Sequence, residues 1–190
     1  MASRGARLAL AGLSFWLATT SVSAHELAQN RATLVLRDNT HLTVTLYVGL
    51  PEFLFRTLAT GKPFGAFLVE YSALDPATFQ RELLRAQSRV EKGTHLFLED
   101  GRPLLLARWQ WPDPAAAQAM LRERVMQETV GGETASHGEP AEIRTEAVAQ
   151  RDIPSVSIQF PAELQQVLVV AYRPHQAWVA AGARSARIEF

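Results

Sequence analysis

The chain has 190 residues, 47% of them apolar and 20% charged, with 19 basic and 19 acidic side chains and no cysteine. The missing thiol excludes a disulfide framework, a thiolate metal site, a thiol nucleophile and a lipoprotein anchor. The balanced charge excludes the concentrated positive field by which proteins hold DNA or RNA, and the length suits one domain with its own core.

Residues 1–24 have the three parts of a secretory signal: Arg4 and Arg7, the apolar run from Leu8 to Ala18, then "TTSVSA" with small Val22 and Ala24 before the expected cut. The apolar run is about half of the roughly 20 residues that span a bilayer. A cleaved signal and a periplasmic domain over 25–190 are therefore expected. Removal of 1–24 leaves 17 basic against 19 acidic residues, a formal charge of −2. A second apolar stretch, Val167 to Ala183, carries Arg173, Pro174 and His175 at its centre. A charge and a missing backbone donor there would be costly in lipid, so two strands and a turn fit it better.

"RATLVLR" (Arg31 to Arg37) and "HLTVTLYV" (His41 to Val48) alternate apolar and polar residues around "DNT", the pattern of an antiparallel hairpin. In "GLPEFLFRTLATG", Pro51 can open a short helix that turns Phe53, Leu54 and Leu58 inward. "AFLVEY" (Ala66 to Tyr71) reads as a strand. Asp75-Pro76 and Asp113-Pro114 each start a helix, Asp as cap and Pro at the first turn. The first helix carries Phe79, Leu83, Leu84 and Val90 on one side; the second carries the thinner stripe of Ala117, Met120, Leu121 and Val125. Between them, "HLFLEDGRPLLLARWQW" places two strand-like runs around Asp100-Gly101, a hairpin turn signal. "GGETASHGEPAE" (131–142) has almost no apolar content and reads as a mobile loop. "SVSIQF", "QVLVVAYR", "AWVAA" and "ARIEF" then read as strands. The fold class expected is α+β and strand-rich, with antiparallel sandwich-like sheets and two or three inserted helices.

"AHEL" (Ala24 to Leu27), the following "ATLVLRD" and the closing "AWVAAGARSARIEF" resemble small exported bacterial proteins whose mature chains open with His-Glu or His-Pro. They are also similar to the soluble ectodomains that precede membrane permease-like proteins encoded with hydrogenase and urease accessory factors. The resemblance implies an accessory role beside another periplasmic or inner-membrane protein. It carries over no catalytic residue, and no transport role, since no membrane segment is read after the signal.

Cleavage before His25 would put an amine and an imidazole on one residue, a ready chelate for Cu(II), which favours nitrogen-rich tetragonal sites. His41 is the second ligand chosen, because its strand follows the one into which His25 leads. His95, His137 and His175 make no His-x3-His pair with it or each other. A hydrolase ranks third, since the chain has no Gly-x-Ser-x-Gly, His-Glu-x-x-His or phosphate-cradling glycine loop. Glu99 and Asp100 read as turn formers. Arg81, Arg85 and Arg89 form a one-sided basic ridge partly offset by Glu82 and Glu91. Trp109 and Trp111, two apart beside Arg108, are either packing or a partner surface, and burial decides between them. The leading expectation is a non-catalytic accessory or binding module with no cofactor, copper being the alternative. Intact-mass analysis of the exported protein should find a chain beginning at His25; a membrane-bound species retaining Met1 would refute the cleaved signal.

Overall fold

A computed structural model describes residues 30–59, 61–130, 138–174 and 181. The signal segment, His25, positions 177–180 of "AWVAA", "ARIEF" and positions 131–137 of the expected loop lie outside the described residues. In chain order the elements are β1 (Asn30–Arg37), β2 (His41–Val48), α1 (Leu50–Leu58), α2 (Phe64–Ser72), α3 (Pro76–Gly93), β3 (His95–Leu98), β4 (Pro103–Leu104), β5 (Ala107–Gln110), α4 (Pro114–Val130), β6 (Ala141–Val148), β7 (Val156–Gln159), a 3-10 turn (Ala162–Leu164) and β8 (Val167–Tyr172).

The β1–β2 hairpin forms as its alternation predicts, with Arg37 opposite His41 and Leu34 opposite Val44. Asp38 and Asn39 turn the chain at φ 48° and 58°, a left-handed conformation that Asp and Asn tolerate better than most side chains. β6 joins β2 antiparallel along its whole length, β5 flanks β6, and β8 runs parallel to β1, giving the order β5-β6-β2-β1-β8. A second sheet has the order β4-β3-β7, all antiparallel. Helix makes up about 40% of the described residues and strand about 32%. The class is α+β with antiparallel pairing dominant, as expected, though the described residues hold four helices and more helix than strand.

One reason is "AFLVEY", which is not a strand but the body of α2. Phe67 and Leu68 are buried there while Phe64 and Tyr71 are half-buried, a 64, 67, 68, 71 spacing that is one face of a helix. A window opened at Ala66 cuts off Phe64 and leaves only a short apolar run, which periodicity cannot assign. The ring of Phe67 packs 4.3 Å from Tyr71 and 5.6 Å from Phe55, and Phe55 meets Phe64 at 5.1 Å, so α1 and α2 are joined by aromatic contacts. α3 begins as its Asp-Pro signal predicts: Asp75 accepts a hydrogen bond from the backbone N–H of Thr78 at 3.0 Å. Hydrogen bonding from the Thr78 side chain, and next from this backbone N–H, holds the Asp75 carboxyl below its ordinary range. Phe79, Leu83, Ala86 and Val90 bury, whereas Leu84 is 54% exposed and so leaves the expected inward stripe. Gly93 ends α3 against Pro161, where an added Cβ would sit 2.7 Å from the proline ring.

β6 is the strand that the sequence reading passed over, and Ala141 and Glu142, assigned to the loop, belong to it. Its inward residues Ala141, Ile143, Thr145 and Ala147 are all buried, but three of the four are small or polar, so the alternation carries little hydrophobic contrast. The buried face of the five-stranded sheet and the inward residues of all four helices form one core, which Leu96 and Leu104 of the smaller sheet also join. Among the described residues no helix is long and apolar enough to cross a membrane.

One polar residue enters this core at a junction. Asn30 is 4% exposed; its amide donates to the carbonyl of Leu164 at 2.6 Å and accepts from the N–H of Gly49 at 3.1 Å. Asn30→Ala deprives both backbone groups of their partner, a loss of about 2–4 kcal/mol in unfolding free energy, measurable by urea denaturation. An unchanged midpoint would show that water replaces the amide there.

Candidate functional site

β5 is an outer strand of the five-stranded sheet and pairs irregularly. Ala107 faces Glu146 and Gln110 faces Arg144, so Arg108 and Trp109 together oppose the single residue Thr145, which is the geometry of a β-bulge. Arg108 takes φ 55° to make it. The buried Thr145 hydroxyl donates to the Ala107 carbonyl at 2.8 Å and holds the strand on the near side of the kink. The bulge throws the Arg108 side chain outward, where it is 79% exposed, and its guanidinium meets the Glu146 carboxylate at 3.2 Å.

The two indoles lie 6.5 Å apart and stacked, as their spacing suggested, yet both are half-buried against the core. Trp111 further donates from Nε1 to Glu91 on α3 at 3.0 Å. They therefore tie the sheet edge to α3, and only Arg108 of the three expected partner residues is open to solvent.

His41 and Arg108, chosen from the sequence for different reasons, converge on one carboxylate oxygen. His41 Nε2 is 3.6 Å from the Glu146 oxygen that Arg108 holds. That separation is too long for a hydrogen bond, and His41 Nε2, although shielded from solvent, has no hydrogen-bond partner among the described residues. His41 and Glu146 are two donors, and among the described residues no cluster of three His, Asp or Glu is assembled.

His25, the other expected ligand, lies outside the described residues. The antiparallel register places His41 opposite Arg37, at the far end of β1 from Asn30. His95, the remaining described histidine, is exposed on β3.

Two apolar side chains that the sequence reading did not single out complete this edge. Leu105, just before β5, is 82% exposed and Val148, at the end of β6, is 66% exposed. Both line an open groove of about 930 Å³ between the β3–β4 turn and the segment after β6, with Arg102, Arg151 and Asp152 also on its walls. The turn itself is set by Asp100, which accepts from the backbone N–H of Arg102 at 3.0 Å and from its guanidinium at 2.7 Å. Those bonds hold the Asp100 carboxyl below its ordinary range, and Gly101 follows at φ 78°. Glu99 and Asp100 therefore stand where the turn reading put them. Nothing in "PLLLARW" marks Leu105 as the outward member of its leucine run; only the pairing of β4 and β5 with different sheets does so.

Comparison with protein-family models, with curated proteins and with solved structures finds no match to this chain. The geometry of the edge has to carry the functional reading alone.

For copper the expected outcome is that His41→Ala leaves the Cu(II) affinity of the chain beginning at His25 unchanged in a competitive titration, while one added N-terminal Gly removes any nitrogen-rich EPR signal. A tenfold loss in the His41 variant would restore the two-histidine site.

Proposed function

We propose that the protein is a non-catalytic accessory or binding module of the periplasm, and that it engages another periplasmic or inner-membrane protein through the β5–β6 edge. The observation that carries this reading is the exposed pair Leu105 and Val148 lining a groove together with Arg102 and Arg151, while the bulge of the adjoining β5 turns Arg108 outward. Apolar side chains of this size lose nothing by leaving water, and an adjacent arginine with a polar rim is the composition of contact surfaces whose binding energy is concentrated in a few residues. The irregular β5 also leaves an outer edge that a partner strand or loop can meet, while its kink opposes indiscriminate pairing with other sheets. The secretory features of residues 1–24 and the resemblance to accessory ectodomains support the compartment and the kind of partner.

A photo-activated amino acid in place of Leu105 or Val148 should give one discrete covalent adduct in the exported protein. The same residue in place of Val69, which is 59% exposed on α2, should give none. Leu105→Asp should abolish the adduct formed from position 148 without changing the unfolding midpoint, because Leu105 contributes almost no burial. Equal crosslinking from all three positions, or from none, would remove the edge from consideration.

A further inference from the structure

The basic ridge of α3 is not an isolated solvated face. Arg85, Arg89 and Lys92 form one wall of an open groove of about 790 Å³, whose other wall is Pro161 and Glu163 of the 3-10 turn, with Leu58 at the end of α1. The far wall is held in place: Arg56 donates to the Glu163 carbonyl at 2.6 Å, and Gly93 lets α3 approach Pro161 closely.

The charge along this wall is less compensated than the sequence suggests. Glu82 is taken by Arg85 at 3.2 Å. Glu91 is turned away to accept from Trp111 and does not face the ridge. Among the described residues Arg89 and Lys92 have no carboxylate within ion-pair distance. They lie three positions apart on one helix, so their charged ends can converge on a single group. Two unpaired cations match one dianion, and an arginine beside a lysine suits a phosphate in particular.

The groove is several times larger than a phosphate and includes Leu58, Leu84 and Pro161, so the anion should carry an organic body that rests on them. Glu163 repels a second negative group at the opposite wall, which restricts the charge to one end of the ligand.

We infer that the α3 groove is a binding site for a phosphate monoester with an uncharged or apolar body, held by Arg89 and Lys92. The same chemistry is offered by a small phosphorylated polyol and by a monoester lipid headgroup. The full mature chain is titrated with glycerol 3-phosphate by calorimetry, and cosedimented with phosphatidylcholine vesicles with and without phosphatidic acid. The Arg89→Ala/Lys92→Ala variant should bind at least about tenfold more weakly, the loss of two charge-assisted contacts, while Arg37→Ala, removing an exposed charge on β1, should bind as the wild type does. Binding of glycerol 3-phosphate that the double variant loses establishes the site with a soluble ligand. Binding of phosphatidic acid vesicles alone, lost in the same variant, establishes it with a lipid. No binding of either probe, binding that the double variant retains, or an equal loss in Arg37→Ala overturns the assignment.

Discussion

The side-chain amide of Asn30 is the constraint on which the rest of the molecule hangs. One group joins three chain segments: the entry of β1, the Gly49 junction where β2 gives way to α1, and the Leu164 turn that feeds β8. A buried backbone donor and acceptor left unpaired would each carry a full desolvation penalty, so this amide does more than add two hydrogen bonds. It sets where α1 leaves the sheet. α1 has no side-chain cap of its own, and the N–H of its capping residue, Gly49, is the one that Asn30 accepts. It also places β8 beside β1 in parallel register, with Asn30 opposite Val167.

From that junction the two candidate surfaces follow. The 3-10 turn bonded to Asn30 is the far wall of the α3 groove, further tied to α1 by Arg56. At the opposite edge of the sheet, buried Thr145 holds the Ala107 carbonyl, and the bulge beyond it aims Arg108 at Glu146. The Arg108 to Glu146 pair is exposed on the arginine side and contributes little stability; its consequence is orientation. Trp111, half-buried and stacked on Trp109, donates to Glu91 and so engages a carboxylate that lies next to the basic ridge of α3.

Much of the scaffold was legible along the chain because it rests on local physics. The β1–β2 hairpin, the proline-started α1, the Asp-Pro starts of α3 and α4 and the Asp100-Gly101 turn are each specified by neighbours within a few residues, and each forms. Two elements were misread for opposite reasons. α2 shows its helical face only when Phe64 is included, and β6 hides its strand alternation behind alanine and threonine. Small residues there are compatible with burial because β6 lies inside the sheet between β2 and β5, a fact of pairing and not of composition.

Residue type and spacing alone specified a cysteine-free, charge-balanced α+β domain, with its helix starts, its first hairpin and its basic ridge. Those properties are one-dimensional, set by residue type and by spacing within a turn or two. Tertiary structure alone decided which residues meet. The antiparallel register sent His41 to the end of the hairpin away from Asn30 and put it beside Glu146 and Arg108. The division of β4 and β5 between two sheets turned Leu105 outward, and the packing of the 3-10 turn on α1 and α3 made a groove of a ridge. Contacts between segments a hundred residues apart depend on register and layer packing, and no local pattern encodes either.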